Sequence, residues 1–218
     1  MSGRIDETTC GRLLRGAVGL FAAQGYGATS VRQICERAGA NVAGVSYHFG
    51  SKRALYDAAI DFARSESNAR NRWVEMDTER DFWSGAEPEV RLRRFVAMMI
   101  DHALDDAGNA SDLSRIMIHE MLDPTPAFDR QIEVSIARVF AALREICLAL
   151  AGEDVDEATI TRLAVMINAQ CMYPALVAGC LAGLHPEVRF DRDGRDALAG
   201  LVSDAMLGAV RAAGAGRD

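Results

Sequence analysis

An all-α fold is what the 218-residue sequence predicts, from three observations. Apolar side chains recur at steps of three and four, short Gly- or Pro-bearing breaks separate the runs, and no run alternates as a half-buried strand would. Internal repeats and low-complexity tracts are absent from the sequence. The expected organisation is an N-terminal three-helix domain over residues 1–56, followed by a larger helical domain over 57–218.

The N-terminal elements are the most sharply specified. Ser30 stands three residues before Gln33, so its hydroxyl can accept from a first-turn amide while the Gln side chain reaches back, the pattern of a capping box. Val31, Ile34, Cys35 and Ala38 follow at helical spacing, and Gly39 stands where a left-handed residue would end the helix. After the turn at Gly39 and Ala40, Asn41 caps a second short helix through His48, anchored on one side by Val45 and Phe49. Gly50 breaks that helix and Ser51 caps the next, which puts Lys52 in a first turn whose amides favour an anion. Two short helices joined by a Gly turn, with one face free and polar groups at both ends, make a helix-turn-helix suited to duplex DNA. The alternative is a packed helical corner, which would not require polar groups where phosphates would sit.

The remaining elements follow from periodicity. Residues 51–76 form one long helix and 77–87, with Gly85, a loop. A helix over 88–106 carries Val90, Phe95, Met98, Met99 and His102 as its spaced set, and 107–111 break it. A short helix over 112–122 ends at Pro124 and Pro126, and 128–150 carry the stripe Ile132, Ile136, Val139, Leu143, Ile146 and Leu150. Residues 156–184 form a helix whose stretch 163–184 is apolar on all sides, and 195–211 carry Leu198, Leu201, Val202, Ala205 and Val210.

Charge divides the chain. Residues 1–56 carry a net +4, so the rest carries −11 of the total −7. A basic end and an acidic body favour end-on docking to phosphate over wrapping. Lys52 is the sole lysine. Cys10, Cys35, Cys147, Cys171 and Cys180 lie far apart with no metal-ligand spacing, and read as small core residues of a cytoplasmic protein. The polar start, residues 1–10, lacks a signal-peptide core. Residues 163–184 are long enough to span a bilayer, but Asn168, Gln170 and Pro174 at their centre would be costly in lipid, and the segment reads as buried between the body and a partner, with no membrane role.

Residues 12–62 resemble the DNA-binding domain of the TetR family of bacterial transcriptional regulators. The likeness rests on Phe21, Gly25 and Tyr26 at the end of a first helix, Thr29-Ser30-Val31, Ile34, Ala38-Gly39, Tyr47-His48-Phe49, Ser51-Lys52 and Leu55. The run from Asn41 to Lys52 is similar to the CecR-like branch, as are His119 to Pro124 and Gln170 to Tyr173. Ser46 departs from the family, many of whose members carry an aromatic residue there. The resemblance implies a homodimeric repressor whose two heads enter successive major grooves of a palindromic operator, and a small-molecule effector that shifts the long helix and the head spacing. That spacing is about 34 Å for a rigid dimer. No cofactor, metal or catalytic residue is implied. Ala43 and Gly44, being small, are expected near base edges. Thr29, Ser30, Tyr47, His48 and Lys52 are expected on phosphates, and Arg32, Asn41 and Ser46 complete the DNA-facing set.

An effector would be sought near Glu120. Leu113, Ile116, Met117, Glu120 and Met121 share one helical face, so the carboxylate lies among apolar side chains and needs a partner. That partner is either a cationic or hydrogen-bonding ligand group, with Met98, His102, Met117, His119, Met121, Gln170 and Tyr173 as further lining, or an internal donor such as Arg115 or a helix amide. The family's dimerisation by its last two helices points to Leu176, Leu181, Leu198, Leu201 and Val202, and the all-round apolarity of 163–184 asks for a two-fold partner independently. The competing classes are an all-helical enzyme and a protein-binding adaptor. A carboxylate-bridged metal enzyme would need Glu-x-x-His pairs, and none of the four His residues is preceded by Glu at that spacing.

Overall fold

The structure, a computed structural model, describes residues 8–71, 86–131, 136–152 and 154–215. The described residues form α1 (Thr9–Ala28), α2 (Val31–Ala38), α3 (Val42–His48), α4 (Lys52–Asn71), α5 (Pro88–Ala103), α6 (Asp112–Leu122), α7 (Ala127–Gln131), α8 (Ala137–Ala151), α9 (Glu157–Leu184) and α10 (Arg192–Ala215). Among them the sole strand-like pairing is one bridge, Leu104 with Ala110, in the break between α5 and α6. The loop expected over 77–87 lies almost wholly outside the described residues, as does Ile132 of the expected stripe.

Two compact units result, one built from the chain up to Arg70 together with Asp112–Phe128, the other from the remainder. In the first, every cap expected from sequence forms. Ser30 accepts from Gln33 N while the Gln33 side chain accepts from Ser30 N, Gly39 sits left-handed at φ 59°, and Asn41 accepts from Ala43 N at 2.9 Å. Ser51 accepts from Ala54 N at 3.1 Å. Such caps contribute about 1 kcal/mol each, which matters for helices of seven and eight residues that cannot stand alone. Leu13, Phe21, Ile34, Val45, Leu55, Tyr56 and Ile60 form the core of this unit.

The same core takes in Leu113 and Ile116 of α6, so the compact unit reaches past residue 56 and includes a helix that patterning alone placed in the second domain. One position shows how α6 approaches α1. Gly25 interrupts α1 with φ 76°, and a Cβ there would stand 3.1 Å from His119 Nδ1 of α6. The left-handed backbone angle favours glycine, and a side chain there would also press on the His119 ring.

In the second unit α5, α8, α9 and α10 pack around Phe95, Ile100, Leu143, Ile146, Ile160, Ile167, Met206 and Val210. Val90 of the expected α5 set is instead exposed, and Leu92, Val96 and Ile100 carry the buried face. α9 and α10 are long and apolar enough to cross a membrane by length and composition alone. Each lays one face on this core and leaves another bare: Val165, Met166, Tyr173 and Leu176 on α9 and Leu201 on α10 are exposed. Of the expected interface residues, Val202 is buried in the core, Leu198 is half-buried and packs against it, and Leu181 is half-buried. Cys35, Cys147 and Cys171 are core residues as expected, and burial pushes the Cys147 and Cys171 thiols up to about 11 and about 12. Cys10 is half-buried and packs against the core of the first unit, and Cys180 alone is exposed, against the expectation that all five serve the core.

Candidate nucleic-acid interface

α3 is a seven-residue helix pinned on one side. Val45 is buried, and Gly44 turns toward α1, where a Cβ would meet Leu13 at 3.7 Å and Thr9 at 4.0 Å. Gly44 is therefore a packing residue, and the expectation that it lies against bases is corrected. The opposite face, Val42, Ala43, Ser46 and Tyr47, is exposed, Tyr47 to 86%. Val42 was not singled out by sequence, although its position four residues before Ser46 puts it on that face. The Tyr47 ring stands edge-on to His48 at 4.9 Å, and His48 to Phe49 at 6.2 Å, so the two exposed rings are braced by a half-buried one.

Around α3 the polar groups divide into outward and inward sets. Arg32 and Asn41 are exposed. Ser30 is exposed too, but its hydroxyl both accepts from Gln33 N and donates to Gln33 Oε1 at 2.7 Å, so its first task is the cap. Thr29 is 1% exposed and its Oγ1 donates to Gly25 O at 2.7 Å, which closes the end of α1. A buried hydroxyl already satisfied cannot reach a phosphate, and Thr29 leaves the phosphate set. Lys52 is half-buried: Nζ donates to Tyr26 O at 2.6 Å and stands 4.2 Å from the Tyr26 ring centroid, and burial lowers its pKa. One of its three N–H groups thus ties α4 to the end of α1. Arg12, on α1, donates to Ala38 O at 3.2 Å, a cation placed on the C-terminal carbonyls of α2.

Glu120 is 1% exposed and accepts from Tyr56 Oη at 2.5 Å, Thr125 N at 3.0 Å and Thr125 Oγ1 at 2.9 Å. Neither Arg115, which is exposed, nor a helix amide is its partner. Burial first, then the hydrogen bond and charge of Glu120, hold the Tyr56 phenol well above its ordinary pKa. The other residues expected around an effector fall in both units. Met117, His119 and Met121 accompany Glu120 in the first, with Met121 exposed because it lies past the buried face. Met98, His102, Gln170 and Tyr173 belong to the second, where Met98 is a core residue and Gln170 and Tyr173 point to the surface. Among the described residues no cluster of His, Cys, Asp and Glu could hold a metal.

Residues 13–59 match the family described as bacterial regulatory proteins, tetR family, and residues 88–210, more than half of the chain, match the C-terminal domain of the HTH-type transcriptional dual regulator CecR. The chain belongs to the TetR family, on its CecR-like branch. It is a helix-turn-helix, DNA-binding transcriptional regulator. The CecR protein of Shigella flexneri is 27% identical over 151 residues, 67% of this chain and 66% of that protein. The transcriptional repressor NicS of Pseudomonas putida is 23% identical over 169 residues, 77% of this chain and 76% of that one. The chain thus spans about two thirds to three quarters of these relatives. In fold it is similar to AibR, solved in complex with isovaleryl coenzyme A and operator DNA (TM-score 0.64, 17% identity, 93% of this chain and 97% of that one). It is likewise similar to the hemolysin II transcriptional regulator HlyIIR (TM-score 0.59, 18% identity, 90% and 96%). Within this TetR-family head, Ser46 replaces the aromatic residue common in the family on the exposed face, beside an exposed Tyr47.

Proposed function

We propose that the protein is a homodimeric, ligand-responsive repressor that holds a palindromic operator and leaves it when a small molecule binds the helical body. The observation that carries this reading is the bare outer face of α3, presented by a turn whose caps are all made, in a chain of regulator descent. In this reading α3 enters the major groove with Ala43, Ser46 and Val42 toward bases. Arg32, Asn41, Tyr47, His48 and the remaining donors of Lys52 meet phosphates, and Ser30 flanks them. The basic balance of the first 56 residues against the acidic remainder orients the head toward DNA. Two protomers pair through the bare faces of α9 and α10, around Leu176 and Leu201, which supports two heads on one site. The effector acts only through its difference in affinity between the operator-bound and operator-free arrangements.

Retardation of the DNA upstream of its own gene by the purified full-length protein, with and without salt and candidate inducers, tests the reading. A complex that survives excess random DNA and dissolves with one class of small molecule is expected. Retention of random and upstream DNA to the same extent would overturn it.

A further inference from the structure

The outward face of α3 carries Val42, Ala43, Ser46 and Tyr47 and no Arg, Lys, Asn or Gln. That composition bears on which feature of a base pair it can read. Guanine is read in the major groove by the bidentate fork of Arg or by Lys, adenine by Asn or Gln, and thymine by an apolar contact to its 5-methyl group. Of the nearby cations and amides that might substitute, Arg32 is exposed on α2 and is assigned to phosphate in the reading above, and the others are engaged within the protein. Lys52 Nζ is on Tyr26 O, Arg12 Nε is on Ala38 O, and Asn41 Oδ1 is engaged with Ala43 N as the helix cap. Arg37 lies against Gly19 of α1, with its guanidinium nitrogen 3.0 Å from where a Gly19 Cβ would stand. Val42, by contrast, is 50% exposed, and Ala43 is exposed beside it.

Building on the DNA-binding reading above, we infer that α3 reads its half-site through thymine methyl groups, with Val42 and Ala43 as the specificity-determining contacts. Val42 presents two methyl groups on a stiff β-branched stem, so it arrives at the groove with little rotamer freedom to lose. Ala43 next to it lets the helix come close. Ser46, small and either donor or acceptor, tolerates any base and adds no discrimination of its own. The consequence is a half-site whose core under α3 is defined by the position of thymines on the two strands.

The test starts from sites selected by the full-length protein out of a random duplex library. In the best selected site each thymine is replaced in turn by deoxyuridine, which removes only the 5-methyl group, and each guanine by 7-deazaguanine, which removes the N7 acceptor. Loss of a buried methyl contact should weaken binding by about fourfold per thymine read. The 7-deazaguanine duplexes should bind as the parent does. Val42→Ala, a change at an exposed position, should melt like the wild type and bind the thymine site several-fold more weakly. At one thymine position the variant should no longer distinguish thymine from uracil. A selected site that is indifferent to every uracil replacement and is lost with 7-deazaguanine would overturn methyl readout while leaving the repressor reading intact. A Val42→Ala protein that still discriminates uracil at every position would overturn the role of Val42. Failure to select any sequence would remove both the inference and the function it rests on.

Discussion

At the scale of single residues the most consequential group is Glu120, a buried carboxylate whose described partners are neutral donors, the Tyr56 hydroxyl and the amide and hydroxyl of Thr125. It joins α4 to the turn after α6, and its partners account for the burial without a ligand. Glu120→Gln places amide hydrogens where Tyr56 and Thr125 already donate, and should lower stability by about 1–3 kcal/mol. For a chain of this size that is about 2–4 °C of Tm per kcal/mol. Inducer titration of the folded variant should then match the wild type. An unchanged Tm with a displaced inducer response would put Glu120 in the effector site instead. Tyr56 adds a pH signature. Its phenol is held above the ordinary value by burial and by Glu120, so the stability it contributes is full below about pH 10 and is lost as pH rises beyond that. Thermal melts at pH 8 and pH 11 should show a larger alkaline loss for the wild type than for Tyr56→Phe, and equal losses would contradict the assignment.

At the scale of elements, Lys52 connects α4 to the end of α1 and stands at the margin of the DNA-facing surface. Lys52→Ala should lower Tm, through the lost bond to Tyr26 O, and should weaken binding to operator and random DNA alike. The slope of log affinity on log salt should fall by about one unit for the lost phosphate contact. A lowered Tm with an unaltered slope would leave Lys52 its bracing task alone. The helix-turn-helix was legible in sequence because its signals are local: Ser30, Gln33, Gly39, Asn41, Gly50 and Ser51 each act on backbone within five residues, and each acts as expected. What sequence could not show was tertiary. Thr29 and Gly44 have residue types suited to a phosphate and a base edge, but Thr29 folds back on Gly25 O and Gly44 faces Leu13. Nor does any local signal link Glu120 to Tyr56, 64 residues away, or bring α6 onto α1 over Gly25.

At the scale of the whole molecule, function rests on assembly and on the site on DNA. The second unit leaves Val165, Met166, Tyr173 and Leu176 bare on α9 and Leu201 on α10, and all-round apolarity did announce that a face would be left over. It did not say which residues, because periodicity is lost when nearly every position is apolar. Val202, expected on that face, went to the core. Leu176→Arg, at an exposed position, should keep the protomer's helicity and melting behaviour while yielding monomers that no longer hold operator. Sedimentation that still shows dimers would place the interface elsewhere. Operator recognition by a paired protomer is tested by the sequence that the full-length protein selects from a random duplex library. A homodimeric repressor should select a two-fold symmetric site with half-site centres about 34 Å, or one turn of duplex, apart, bound less tightly as salt rises. An asymmetric site, or no enrichment at all, would contradict it.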